Sequence, residues 1–283
     1  MVTNDLRFAQ SKSLLRTLAK NSFRAIDEGA YESNSTSERS FYSHKTISLK
    51  NNIQSTLNVP LITEIKYASP SKGILADSKK YKVEEVALTM ESAGACGISI
   101  LSQPYLFNGS ISNIKRARKA TVLPILMKDI IVSDIQIKAA KNSGADSVLF
   151  IKTLFDKNLA EKDLETLIEY ASKIGLETIL ETHDTDEFQE AVKLHKNHPH
   201  DIHIIGINNR NLDTLEINLD TTINILTGNS KSGNVVISES GINEPKHIKS
   251  LIKAGADGFL IGTSLMENPE SLSKKIEELK IKQ

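Results

Sequence analysis

Ser143-Gly144-Ala145-Asp146-Ser147-Val148-Leu149-Phe150-Ile151 is the stretch from which the fold can be read. A glycine able to take a left-handed backbone ends a helix, and an apolar run begins at once. The pattern recurs. Ala93-Gly94-Ala95-Cys96 stands before Gly97-Ile98-Ser99-Ile100, and Ala254-Gly255-Ala256-Asp257 before Gly258-Phe259-Leu260-Ile261. The repeating unit is a helix, a tight glycine turn and a strand. Outward from these three, short Val- and Ile-rich runs occupy 60–66, 97–102, 123–129, 147–153, 177–183, 204–210, 235–240 and 258–264, each followed by a segment of helical period. Near-continuous apolar strands alternating with helices are parallel βαβ units rather than hairpins. Eight of them predict an α/β fold, a (β/α)8 TIM barrel. A doubly wound open sheet is the alternative, but no GxGxxG follows the first strand to support a dinucleotide site.

The 283 residues are 39% hydrophobic and 25% charged, ordinary for a globular chain. A barrel of this kind needs roughly 250 residues. That assigns 59–283 to one catalytic barrel and 1–58 to an N-terminal helical extension packed on it. Within the extension Leu6, Leu14, Leu15 and Leu18 keep helical spacing, ahead of a polar, Ser- and Asn-rich stretch at 32–38. Lys plus Arg number 35 and Asp plus Glu number 35. No overall field therefore draws the chain to nucleic acid or an anionic membrane, and any anion site must be local. The single cysteine, Cys96, excludes an intrachain disulfide, and its apolar neighbours read as a buried small residue. No apolar run reaches the roughly 18 residues of a membrane span, and the start lacks the apolar region of a secretory signal. A cytoplasmic chain is expected. No heptad or aromatic stripe marks a subunit interface, so a monomer is expected.

Chemistry in such barrels gathers at the C-terminal strand ends. The first strand ends Thr63-Glu64-Ile65-Lys66, where the period of two puts Glu64 and Lys66 on one side. The third ends Met127-Lys128-Asp129, the fifth Glu181-Thr182-His183, the sixth Asn208-Asn209-Arg210 and the seventh Ser238-Glu239-Ser240-Gly241. One charged residue at a strand end is ordinarily a solvated one. Five ends carrying Glu, Lys, Lys, Glu, Asn, Arg and Glu to one rim form a site, because such charges are costly to desolvate unless paired. Gly241 and Gly262 fall in the loops after the seventh and eighth strands, where barrels often bind phosphate. Backbone N–H groups beside glycine can approach an anion. Gly241, Gly262 and Thr263 are therefore the expected phosphate end, and the expected function is acid–base chemistry on a small phosphorylated anion.

Read together, several segments closely resemble the indole-3-glycerol-phosphate synthase family. They are Glu64-Ile65-Lys66-Tyr67-Ala68-Ser69-Pro70-Ser71-Lys72-Gly73, Phe107-Asn108-Gly109-Ser110, Pro124-Ile125-Leu126-Met127-Lys128-Asp129, Gly144-Ala145-Asp146 and Leu180-Glu181. Ile205-Gly206-Ile207-Asn208-Asn209-Arg210, Ser238-Glu239-Ser240-Gly241-Ile242 and Leu260-Ile261-Gly262-Thr263-Ser264-Leu265-Met266 complete the series, collinear from residue 60 onward. The resemblance implies a carboxy-lyase of tryptophan biosynthesis that uses neither cofactor nor metal. Its substrate would be 1-(2-carboxyphenylamino)-1-deoxyribulose 5-phosphate, closed, decarboxylated and dehydrated to indole-3-glycerol phosphate. It also implies Lys128 as general acid at the carbonyl oxygen and Glu181 as base or acid in the dehydration. Lys66 would pair with the substrate anions, phosphate included, and with Glu64; Glu64 would hold that lysine and the leaving hydroxyl. Asn208 and Ser69 would orient the carboxylate, Phe107 would pack on the aromatic ring, and Arg210, Glu239 and Ser240 would surround the substrate. For Lys128 to act as an acid near neutrality, neighbouring Lys66 and partial burial are expected to lower its pKa.

Some positions depart from the family's usual pattern. Tyr67 stands where Arg is common, Ile130 where an aromatic is common, and Asn211 for an Asp; Ser102-Gln103-Pro104-Tyr105-Leu106 replaces a more acidic stretch. These bear on affinity rather than on reaction type. The motifs of the seventh and eighth strands are shared with sister barrels such as phosphoribosylanthranilate isomerase, from which the Glu64/Lys66 strand discriminates. A non-catalytic ligand-binding barrel is the other alternative, opposed by the full set Lys66, Lys128, Glu181 and Asn208. His195, His198, His200 and His203 fall in the connection before the sixth strand and are expected to form a solvated loop rather than a metal site. His183 shares the parity of Glu181 and is expected to be a capped strand-end side chain.

Overall fold

In the computed structural model, which describes residues 13–32 and 44–280, every one of these apolar runs is a strand. They are β1 (Leu61–Ile65), β2 (Gly97–Leu101), β3 (Ile125–Lys128), β4 (Ser147–Ile151), β5 (Glu177–Thr182), β6 (Ile204–Asn208), β7 (Val235–Glu239) and β8 (Gly258–Ile261). All pair in parallel with their sequence neighbours, and β8 closes onto β1. The fold is the TIM barrel the spacing predicts. Each strand stops one to three residues before the end read from the sequence, because its last residues leave the ladder as a βα loop. A short antiparallel hairpin after β1, Ala68–Ser69 with Gly73–Ile74, is an element the strand–helix periodicity does not signal.

The glycine turns act as the repeat suggests. Gly144 and Gly255 end the helices Asp134–Ser143 and Pro245–Ala254 at φ 85° and 110°. The aspartate two residues on then ties the next strand to its neighbour. Asp146 accepts from the Ile125 N–H at 2.7 Å, and Asp257 from the Val236 N–H at 2.8 Å. Asp146 is fully buried and also takes the Arg118 guanidinium at 2.9 Å, the Ile47 N–H at 2.8 Å and His44 Nε2 at 2.9 Å.

Period two divides the apolar residues into two layers. Ile62, Leu126, Leu149, Ile179, Ile204, Ile237 and Leu260 form the barrel interior, while Leu61, Ile98, Ile100, Val148, Phe150, Ile205 and Phe259 pack against the helices. Residues ahead of β1 close both ends of the interior. Leu49 and Ile53 of the helix Leu49–Ser55 join it at the N-terminal end, where Leu49 leaves no room for a side chain on Gly97. Leu15, Leu18 and Ala19 of the amphipathic helix Leu14–Asp27 join it at the other end. Leu6 and nearly all of the Ser- and Asn-rich stretch lie outside the described residues.

The same parity positions the polar residues. Glu64 follows Ile62 by two, Lys128 follows Leu126, Glu181 follows Ile179, and Glu239 follows Ile237. Each is thus carried on the inward side of its strand, just past the last apolar layer.

Candidate active site

Lys128, at the end of β3, is the hub. Its Nζ donates to Glu181 Oε2 at 2.8 Å and to Glu239 Oε2 at 2.6 Å, spanning the mouth from β3 to β5 and β7. Lys66 Nζ makes a separate pair with Glu64 Oε1 at 2.7 Å. Glu64, Glu181 and Glu239 are all buried, so these are charges held by partners rather than by water. Two glycines make the approach geometrically available. A Cβ on Gly206 would overlap Glu239 Oε1, and one on Gly262 would overlap Glu64. Gly262 is thus required by a carboxylate, whatever the loop binds.

The electrostatics correct one expectation. Burial works against the Lys128 ammonium, but Glu181, Glu239 and Glu64 outweigh it and hold its pKa well above the ordinary lysine value. Lys66 does not lower it, being paired with Glu64. The glutamates diverge. Burial favours the neutral form of Glu181, yet Lys128 and His183 overcome it and hold the carboxyl well below the usual range. Glu239 is pushed up to about 7 by burial, which Lys128 only partly offsets and the Glu181 charge reinforces. His183 is more than a strand-end cap. Its Nε2 stands 3.2 Å from Glu181 Oε1, and the mostly buried ring has a pKa raised to about 9: burial opposes the charge, and Glu181 and Glu187 outweigh it.

These groups open into a cavity of about 290 Å³, at the lower end of the range for small-ligand sites. Lys66, Lys128, Glu64, Glu181, Asn208, Arg210, Glu239 and Phe107 line it, and Ser240, Gly241, Gly262 and Thr263 form the loop end. Ser69 is the exception. It lies in the hairpin, its Oγ accepts from the Lys72 N–H at 3.2 Å, and it is absent from the lining. That hydrogen bond also shapes the loop that carries Lys72. Lys72 does line the cavity, paired with Glu267 at 2.9 Å, and was missed although it stands in the quoted motif. Leu18 was missed as well; only packing brings the extension helix to the mouth.

Neighbouring networks hold the rim. Asn208 Oδ1 accepts from the Arg210 N–H at 3.0 Å, and Arg210 reaches the Leu215 carbonyl at 3.0 Å. The Asn209 amide donates to the Glu239 and Ser240 carbonyls at 2.9 and 3.1 Å, fastening β6 to the loop after β7. Asp129, beside Lys128, is buried and accepts from Ser102 Oγ at 2.5 Å and from Tyr31 OH of the extension at 2.8 Å. Burial pushes it up to about 6 despite those donors. Tyr105 OH donates to Glu28, and Arg24 lies 4.6 Å from the Tyr105 ring centroid, so the extension also grips the loop after β2.

The remaining candidates are structural. Burial pushes the Cys96 thiol up to about 12, far from a nucleophile. His195 bonds the Ile202 carbonyl, His198 faces Glu165 and Asp201, and His203 contacts Thr178. Among the described residues no group of His, Cys, Asp and Glu could hold a metal ion, and no helix is long and apolar enough to cross a membrane.

Comparison with known proteins bears on what this mouth does. The family model described as indole-3-glycerol phosphate synthase matches residues 16–279. The indole-3-glycerol phosphate synthase of Sulfurisphaera tokodaii is 40% identical over 225 residues, covering 79% of this chain and 85% of that protein. That of Campylobacter fetus is 37% identical over 223 residues, covering 79% and 81%. Among solved structures, a mutant tryptophan synthase alpha-subunit from Pyrococcus furiosus superposes with a TM-score of 0.55 at 17% identity, covering 78% of this chain and 97% of that one. At that identity the likeness is one of fold.

Proposed function

This chain belongs to the indole-3-glycerol phosphate synthase family, and on that premise we propose how the mouth of its barrel divides the work. The activity is indole-3-glycerol phosphate synthesis, in tryptophan biosynthesis, on a phosphorylated small molecule. The substrate we assign is 1-(2-carboxyphenylamino)-1-deoxyribulose 5-phosphate. Its ring carbon bearing the carboxylate attacks the ketose carbonyl carbon. The new C–C bond forms as the carbonyl oxygen takes a proton, loss of CO2 restores the aromatic ring, and loss of water completes the indole.

Lys128 is the acid of the first half. A lysine with a raised pKa still donates to an oxygen becoming an alkoxide, because the alkoxide is the far stronger base. Before the proton moves, the partly buried ammonium, already held in place by its glutamates, stabilises the developing negative charge with little solvent reorganisation. Loss of water needs an acid at the hydroxyl and a base at the neighbouring C–H or N–H. Glu181 exchanges a proton in that half, with Glu64 and Lys66 at the leaving hydroxyl. The phosphate lies against the loop residues Ser240, Gly241, Gly262 and Thr263, with Lys66 and Lys72 supplying positive charge. Phe107, Leu18 and Ile130 offer the apolar wall for the carboxyphenyl ring, and Asn208 and Arg210 its polar neighbours.

The observation carrying this reading is the single ammonium of Lys128 bridging two buried glutamates in the cavity wall. Lys128→Ala is expected to lower kcat by about 10²–10⁴-fold, the usual worth of one acid–base group, in a fluorescence assay for indole-3-glycerol phosphate. Wild-type turnover by that variant would remove Lys128 from the mechanism. The same reading takes residues 1–58 as the extension and 59–283 as the catalytic barrel, in a cytoplasmic monomer.

A further inference from the structure

Lys128 bridges two glutamates of the same chemistry in different surroundings. Glu181 has a second cationic neighbour. His183 Nε2 lies at ion-pair distance, 3.2 Å, from Glu181 Oε1, the oxygen that Lys128 does not take, though without hydrogen-bond alignment. Glu239 lacks such a neighbour. Its Oε1 is buried against Gly206 with no hydrogen-bond partner. His183 is held from behind by Glu187, in the first turn of the helix Thr185–Asn197. Glu187 Oε2 accepts from the His183 N–H at 2.8 Å and lies 3.4 Å from ring Nδ1. The Thr153 hydroxyl, 2.5 Å from Glu187 Oε1, sits 3.2 Å from the same ring nitrogen. A mostly buried imidazole between two carboxylates carries its second proton, because their combined attraction outweighs the cost of burial.

We propose that His183 is a positioning residue of this reaction: as an imidazolium on the free oxygen of Glu181 it keeps that carboxylate ionised, making Glu181 the base and Glu239 the carboxyl that keeps a proton. The proposal rests on the reading above, in which Glu181 exchanges a proton with the substrate, and it decides the direction of that exchange. Two carboxylates around one ammonium repel each other, so a third charge on one of them settles which is ionised.

The groups facing the pair are few. Glu181 meets Lys128 from β3, Glu239 from β7 and His183 from the end of its own strand, and Glu64 of β1 acts on Lys128. His183 meets Glu181 and Glu187. A second cavity, of about 390 Å³, reaches the imidazole with Lys157, Asp184, Asp213 and Glu216 in its wall. Through it the ring can exchange its proton with solvent while substrate fills the mouth.

The test is the pH dependence of kcat for the wild type, His183→Asn, His183→Lys and Glu187→Gln, with Glu181→Gln as control. His183→Asn is expected to move the acidic limb upward by about one pH unit or more, because Glu181 then keeps only one cation. His183→Lys returns a cation and is expected to move the limb back. Glu187→Gln is expected to move it upward by less, acting only through the imidazole; this keeps the test independent of any folding defect at position 183. KM is expected to change little in each. A uniform fall in kcat with the limb unmoved, in both His183→Asn and Glu187→Gln, would mean that His183 only packs. An inactive Glu181→Gln beside an unmoved limb overturns the His183 role alone, whereas wild-type turnover by Glu181→Gln overturns the reading of the site and this role with it.

Discussion

In the sequence Gly206 falls within the sixth strand and Gly262 in the loop after the eighth, yet in the barrel both are clearances cut for carboxylates. A methyl group on either would strike Glu239 or Glu64, so the two glutamates can lie flat against the strands only because their neighbours have no side chain. Glu239 shows what that placement does. It is buried, shares Lys128 with an ionised neighbour and titrates at about 7. Below that pH it holds a proton; above it, a second negative charge crowds Glu181. The expected result is a decline in kcat/KM as pH rises through about 7, since kcat/KM reports groups of the free enzyme. Glu239→Gln cannot ionise and should lose that alkaline limb. A limb of unchanged position in Glu239→Gln would assign it to another group. Residue identity was legible at this scale: Glu64, Lys66, Lys128, Glu181, Asn208 and Glu239 all line one cavity. Their protonation was not, because the Lys128 charge depends on which neighbours face it, and sequence proximity pointed to Lys66 rather than to the glutamates that hold it.

At the scale of elements, the extension decides how the mouth is closed. The helix Leu14–Asp27 lays Leu15, Leu18 and Ala19 on the barrel interior, and the turn after it sends Tyr31 to Asp129, next to Lys128. Tyr31→Phe deletes one donor to a buried carboxylate and is expected to cost about 1–3 kcal/mol, read by urea denaturation. The sign with pH follows from Asp129, whose folded value near 6 lies above the ordinary carboxylate range. Below that pH it carries a proton and needs the donor less, so the deficit should shrink from neutrality toward pH 5. A deficit independent of pH would place the loss in packing rather than in the hydrogen bond. The amphipathic helix itself was visible as leucines at helical spacing. Its docking against Asp129 was not, since no local pattern links Tyr31 to a residue 98 positions on.

At the scale of the whole molecule, stability and chemistry sit at opposite ends of the barrel. The fully buried Asp146 gathers Arg118, His44 and two backbone N–H groups at the N-terminal side of the strands, while the acid–base groups occupy the C-terminal side. Asp146→Ala strands the Arg118 guanidinium in the interior. The expected cost is on the order of 3–5 kcal/mol, as for breaking any buried pair, with kcat per folded molecule retained. Calorimetry together with active-site titration checks both halves, and a loss of kcat in protein that remains folded would show that the two ends are coupled.

Periodicity and turn chemistry are local properties, so the sequence by itself determined the strands, their parallel order, the inward parity of the polar residues and the glycine turns. Long-range packing decided the rest. It brought Leu18 and Lys72 to the cavity and set His183 against Glu181. It also surrounded Lys128 with carboxylates that raise its pKa rather than a lysine that would lower it. The strand-end charges the sequence lines up along one rim acquire their separate roles only from distances across the barrel, because Coulomb interactions and burial act through space and not along the chain.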